Sequence, residues 1–229
     1  MVDASSHREI FSPEAFGERR VDVIGAGATG SRVVLSLAKL GIQNIHVWDF
    51  DKIEEHNIAN QVYDTAHIGQ LKVEALAEIV KRSTGTVITQ YPFAADGSKQ
   101  LGNVVFLMTD TMRSRKEIWG KAIKLKPHVS LMIETRMGTD NGRIYSIVPF
   151  QIQHVRMWEE TLYDDAEAGV EVAACGTNIS VGPSAEIVSG LAVWQLMRWF
   201  AHDQGKSEDV PEHEIIFGLR SSFIMGRSL

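Results

Sequence analysis

Val21-Asp22-Val23-Ile24-Gly25-Ala26-Gly27-Ala28-Thr29-Gly30 is the stretch whose reading decides the fold. Its first four residues form a short, β-branched apolar run of the kind that makes a buried strand. Val33, Val34, Leu37, Ala38 and Leu40 follow the glycines at helical spacing, and Gly41 is placed to stop that helix. A second strand is expected over Asn44-Ile45-His46-Val47-Trp48. It ends in Asp49-Phe50-Asp51, with Asp49 nineteen residues beyond Gly30. Strand, GxGxxG, helix, strand and acid in this order form the context that a nucleotide fingerprint requires; a GxGxxG outside it is a weak signal. Gly25 permits the tight turn, Gly27 lets backbone approach a phosphate, and Gly30 allows close packing of helix on strand. The free amides and positive dipole end of the helix favour an anion, and Asp49 can accept hydrogen bonds from ribose hydroxyls. The competing view is a purely structural turn.

The next twenty residues separate the nucleotide classes. Asn57-Ile58-Ala59-Asn60-Gln61 and then His67-Ile68-Gly69-Gln70-Leu71-Lys72 set an amide cluster and a cation behind two acids. Hydride transfer needs none of these. Chemistry on a triphosphate does, because charge must be neutralised while phosphorus is attacked. The ordered string resembles the ThiF/MoeB/HesA family of ubiquitin-activating-type adenylyltransferases, whose pattern runs GxGxxG, DxD, N-L-x-R-Q, I-G-x-x-K. The resemblance covers Val21 to about Phe200, and the ordered combination is far more specific than any one piece.

Composition sets the frame for that comparison. At 229 residues the chain can bury a proper core as one domain. A net charge of −6 argues against nucleic acid or an anionic membrane as the main partner. One cysteine excludes an internal disulfide framework and a Cys-rich zinc site; many relatives carry two CxxC pairs for structural zinc, and this chain has neither. No leader-like opening or bilayer-length apolar run is visible, so a cytoplasmic location is expected.

Alternation of strands and helices continues along the chain. Residues 1–20 form an arm with a short helix after Ser12-Pro13. The helix from Lys72 is expected to stop near Ser83-Thr84-Gly85. Strands are expected at Thr86–Thr89, Val104–Met108, His128–Glu134 and Gly142–Val148, with a helix from Thr111 to about Lys124 between the second and third of these. Residues 150–180 read as a crossover loop with a short helix around His154–Leu162. Pro183–Phe200 is the clearest late helix, and residues 202–229 form a C-terminal appendage with a terminal β-element. The expected class is α/β: a Rossmann-like, mostly parallel open sheet with helices on both faces, in one domain over residues 1–229.

The resemblance implies ATP and Mg2+ as cofactors, a homodimer, and the C-terminal carboxylate of a small ubiquitin-like or sulfur-carrier protein as substrate. By position, it assigns Gly25, Gly27, Gly30, Asp49, Asp51, Asn57, Gln61 and Lys72 to the nucleotide. Asp110 matches the family aspartate associated with magnesium, its rival role being a helix N-cap, and Arg115 matches an arginine five residues on. Arg8 is the candidate for an arm arginine that reaches the other subunit's ATP, against a plain solvated charge. Cys175 lies where acyl-accepting relatives have a cysteine, though a lone cysteine is more often a small buried hydrophobe. Asn60 departs from the family arginine. Either Arg8, Arg113 or Arg32 substitutes, or turnover is weakened or altered. The rivals are a non-catalytic module that binds ATP or a partner, a nicotinamide-dependent oxidoreductase, and a tRNA-base dehydratase, against which the acidic balance weighs.

Overall fold

The structure is a computed structural model, and it describes residues 2–167 and 180–228. Among these, eight strands form one sheet: β1 (Val21–Ile24), β2 (Ile45–Trp48), β3 (Thr89–Tyr91), β4 (Val104–Leu107), β5 (Leu131–Met137), β6 (Asn141–Ile147), β7 (Glu214–Gly218) and β8 (Phe223–Arg227). Their order is β3-β2-β1-β4-β5-β6-β7-β8. The five strands from β3 to β5 pair in parallel, and β6, β7 and β8 add antiparallel. The expected α/β class is therefore met, and the terminal β-element joins the main sheet instead of standing apart from it.

Both faces of the sheet are covered, for a reason visible in the strand period. Side chains alternate across a strand. Val21 and Val23 thus join one apolar cluster while Ile24 joins another. The first cluster packs under α1 (Pro13–Phe16), α2 (Ala28–Lys39), α3 (Lys72–Thr84) and α6 (Gly182–Asp203). The second packs under α4 (Met112–Ile118), the wider turn Trp119–Ile123 that continues it, and α5 (Ile152–Glu159). Strands β1 and β4 are buried along their whole length, as strands in a doubly covered parallel sheet should be.

Several boundaries shift from expectation. β3 begins at Thr89, not Thr86, because Tyr91 stacks on Trp48 with ring centroids 3.8 Å apart and draws the pairing toward the strand's end. β5 begins at Leu131, not His128, because the amide of Val129 turns back to the Lys126 carbonyl. It runs on to Met137 because the antiparallel ladder with β6 extends to the Met137–Gly142 pair. The short crossover helix occupies Ile152–Glu159, and the late helix is longer than expected, Gly182–Asp203. Gly85, left-handed at φ +77°, closes α3 where its stop was expected. No helix among the described residues is long and apolar enough to cross a membrane.

Candidate nucleotide site at the strand rim

Parallel register brings the separated motifs together. Ile24 is level with Trp48 on one side and with Leu107 on the other. The segments that leave these three strands, beginning at Gly25, Asp49 and Met108, therefore emerge on one rim of the sheet. It is the carboxyl rim, where open α/β sheets bind ligands.

The glycine turn is held from three directions. The Gly25 amide donates to the Trp48 carbonyl at 2.8 Å, and the Ala26 amide to Asp49 Oδ2 at 2.7 Å. The Tyr63 hydroxyl donates to the Ala26 carbonyl at 2.8 Å. Gly25 has φ +96°, and a Cβ there would lie 2.7 Å from the Met108 carbonyl oxygen. A Cβ on Gly30 would fall 1.9 Å from the Gly25 oxygen. At Gly27 it would meet nothing within 4 Å. The turn is thus backed by protein on one side and open on the other. Gly27 is the N-cap of α2, and no side chain caps that helix or places an acid in its first turn.

Asp49 bridges the turn to the next strand, its Oδ1 accepting the Asp51 amide at 2.8 Å. Burial holds the Asp49 carboxyl above the usual carboxylate range, against the opposing pull of Lys72 and the two amides. Burial also pushes the Tyr63 phenol well above its ordinary value, with the charges of Asp49 and Asp51 acting the same way. Lys72, the first residue of α3, is 7% exposed, and its Nζ lies 2.7 Å from Asp51 Oδ2. Its amide donates to the Asp51 carbonyl at 2.9 Å, so Lys72 stands on the same rim as the glycine turn.

Asp110 is exposed just beyond β4. The N-cap of α4 is Thr111, whose side chain accepts the Ser114 amide, which leaves the Asp110 carboxylate outside the capping role. No group of three or more His, Cys, Asp or Glu side chains able to hold a metal occurs among the described residues. Asn57 is buried, and its Oδ1 accepts the Glu54 amide at 2.9 Å, closing a tight turn. The Oε1 of Gln61 is buried without a hydrogen-bond partner.

The remaining arginines are distributed unevenly. Arg115 is buried beneath the rim; Nη2 donates to the carbonyls of Thr109 and Thr135, and Nε lies 3.1 Å from Glu134 Oε1. All of these contacts are to protein groups. Arg8 pairs with Glu14 at 2.6 Å on the exposed arm. Its neighbour His7 touches the Leu40 carbonyl, so within its own chain Arg8 sits at the end of α2 remote from the glycine turn, about 18 Å along the helix. Arg32 points back along α2, its Nη1 donating to the carbonyls of Ala28, at 3.0 Å, and Asn60. The Asn60 amide group donates in turn to the Ser180 carbonyl at 3.3 Å. Cys175 lies outside the described residues. Tyr63 and Asp165, which accepts the Met112 and Arg113 amides at the start of α4, had no local signature to announce them.

A sheet with five parallel strands and, on its carboxyl rim, a glycine turn, an acid and a lysine defines a nucleotide-fingerprint α/β domain. The chain belongs to the ThiF family, which matches residues 13–217. It is 32% identical over 110 residues to the NEDD8-activating enzyme E1 catalytic subunit of Arabidopsis thaliana, covering 45% of this chain and 24% of that protein. It is 24% identical over 135 residues to a probable adenylyltransferase/sulfurtransferase MoeZ of Mycobacterium tuberculosis, covering 50% of this chain and 34% of that one. The chain thus spans about a quarter to a third of the length of these curated relatives. Among solved structures, E. coli MccB with ATP superposes with a TM-score of 0.67 at 15% identity, over 94% of this chain and 66% of that one. PaaA superposes with a TM-score of 0.71 at 18% identity, over 99% and 68% respectively. These two likenesses establish the fold.

Proposed function

We propose that the chain is an ATP- and magnesium-dependent adenylyltransferase that activates the C-terminal carboxylate of a small ubiquitin-like or sulfur-carrier protein. The single observation that carries this reading is the meeting of the open glycine turn, Asp49, the Asp51–Lys72 pair and Asp110 on one strand rim. Family membership and the names of the relatives support it.

In the reaction, a carboxylate oxygen of the carrier bonds to the α-phosphorus of ATP as the bond from that phosphorus to the pyrophosphate oxygen breaks. Two anions must meet, so catalysis is positioning and charge neutralisation more than covalent chemistry. The uncapped amides of α2 take phosphate oxygens across the space beside Gly27. Asp49 accepts from the ribose hydroxyls, more strongly in its ionised form. Lys72 neutralises phosphate charge as a point charge. Asp110 is the side chain that would hold magnesium; one carboxylate together with substrate phosphates is a donor set this ion accepts. When bound, the ion spreads the developing charge over the phosphate oxygens. Arg8, remote from its own site, would serve the partner's nucleotide in a symmetric dimer.

ATP–pyrophosphate exchange with candidate carrier proteins tests the reading. Carrier-dependent exchange is the expected result. Thermal stabilisation by NAD but not by ATP–magnesium would sink it, since a ligand stabilises the fold by RT ln(1 + [L]/Kd). A nicotinamide coenzyme would use the glycines and Asp49 but would leave the Asp51–Lys72 pair without a role.

A further inference from the structure

We infer that Arg32 is the cation that distinguishes a triphosphate from a bare nucleoside at this site, in the place where Asn60 supplies no charge. The inference rests on the adenylyltransferase reading and deepens it. It follows from asking which positive charges on the rim are shielded from solvent and not already neutralised, which sets aside Arg113, exposed at the start of α4. Lys72 faces Asp51 at 2.7 Å. The Arg115 guanidinium is buried against Glu134, and Lys116 pairs with Asp164 at 3.3 Å. Arg32 differs: its two hydrogen bonds go to backbone carbonyls, of Ala28 and Asn60, which hold the group in place without cancelling its charge. The nearest carboxylate is Glu186 at 3.7 Å, on a side chain 68% exposed, where an ion pair contributes little.

Position reinforces the charge argument. The bond to the Ala28 carbonyl places the guanidinium beside the first turn of α2, the helix that opens on the glycine turn. The start of α6 is equally near, since a side chain at Gly182 would come within 3.7 Å of Arg32 Nη2. Neither α2 nor α6 has a side-chain cap or an acid in its first turn. A cation held beside the positive ends of two helices, of 12 and 22 residues, is electrostatically unfavourable by itself. An anionic tail lying on the glycine turn relieves that repulsion. Because Arg32 is only 16% exposed in its side chain, its charge is weakly screened and acts more strongly than a surface arginine's.

The test is calorimetric titration of the whole chain with ATP–magnesium and, separately, with adenosine. Arg32→Gln is expected to weaken ATP about 10- to 100-fold, the range for losing a charge-assisted contact, while adenosine affinity stays at the parent value. Arg32→Lys, which keeps the charge, is expected to recover part of the ATP preference and its dependence on salt. Glu186→Gln, which removes the nearest competing carboxylate, is expected to tighten ATP slightly. Equal losses for ATP and adenosine in Arg32→Gln would mean that the side chain merely holds Asn60 and α6, and the inference falls. Parent-like affinity for both ligands in Arg32→Gln also overturns it, with the parent reading intact. A parent chain that binds neither ligand overturns both.

Discussion

Lys72 Nζ lies 2.7 Å from Asp51 Oδ2 while the Lys72 amide donates to the Asp51 carbonyl, so one residue pair closes the loop between β2 and α3 twice. The first residue of a helix is a poor place for a cation, since the dipole there is already positive. Asp51 offsets that cost and holds the ammonium at the loop between β2 and α3. On the proposed reading, a phosphate entering from the glycine turn would replace one anionic partner with another.

Lys72→Ala is therefore expected to lower ATP–pyrophosphate exchange by about 100-fold, the order seen when one preorganised charge partner is removed from a transition state. Steady-state exchange rates check this, with circular dichroism to confirm the fold. Exchange within a few fold of the parent would remove Lys72 from the phosphate site.

Glu134 carries a different burden. Its side chain is fully buried, with Arg136 Nε at 3.0 Å, Arg115 Nε at 3.1 Å and Trp158 Nε1 donating at 3.2 Å. Removing the acid strands two guanidiniums in the core. Glu134→Ala is expected to cost about 3–5 kcal/mol, which for a chain of this length lowers the melting temperature by on the order of 10 °C. Arg115→Met should cost stability on a similar scale, because it leaves Glu134 short of a partner, yet keep ATP affinity within about threefold of the parent. Thermal melts and ATP titration together decide between this structural role and a phosphate contact; a selective loss of ATP binding at full stability would assign Arg115 to the nucleotide.

The contrast between Lys72 and Arg115 shows what the sequence could reveal. β1, α2 and β2 are legible because their signals are local: a buried apolar run, glycines at fixed spacing, helical periodicity and an acid at a strand end. Parallel pairing then carries Asp49 and the segment leading to Asp110 to one rim without further information. The edge strand β3 was misplaced by three residues because its position follows from Tyr91 stacking on Trp48, a contact 43 residues apart in sequence. Arg115 keeps the family spacing, but its seat depends on Glu134 in a strand that the local pattern began too early. The Asn60–Ser180 hydrogen bond joins residues 120 apart, and nothing in either segment announces the other.

Acid sensitivity has an identifiable source outside the site. The His154 and His213 rings meet edge to face with centroids 5.4 Å apart. Burial holds the His213 ring down at about 4, with His154 adding to the effect and Glu214 opposing it. Burial also lowers His154. An unfolded histidine titrates near 6.5, so the unfolded chain binds more protons than the folded one below that pH. The stabilisation from a neutral His213 is complete above about 6.5 and is lost as pH falls toward 4, amounting to about 3 kcal/mol across the window. Denaturant melts from pH 7 to 5, above most carboxylate titrations, should show a steeper decline for the parent than for His213→Asn. Parallel curves would place the acid sensitivity elsewhere.

The three fingerprint glycines make opposite demands on an added methyl group, and this separates folding from binding. At Gly30 a Cβ would sit 1.9 Å from the Gly25 carbonyl oxygen and 2.9 Å from its carbon, both backbone atoms that cannot step aside. At Gly25 the positive φ of +96° adds strain to a 2.7 Å clash with Met108. Gly25→Ala and Gly30→Ala are thus expected to disrupt the turn itself and to lower the melting temperature. Gly27 has an ordinary φ of −77°, and its Cβ would meet no atom of the protein within 4 Å. Gly27→Ala should therefore change stability by less than about 1 kcal/mol, with a small gain from reduced freedom in the unfolded chain. The methyl group would instead occupy space that a phosphate must cross to reach the amides of α2. At unchanged melting temperature, ATP affinity is expected to fall at least about tenfold, equivalent to about 1.4 kcal/mol. Parent-like ATP binding by a stable Gly27→Ala chain would mean that the phosphates do not pass beside Gly27. The nucleotide would then have to be sought away from the glycine turn.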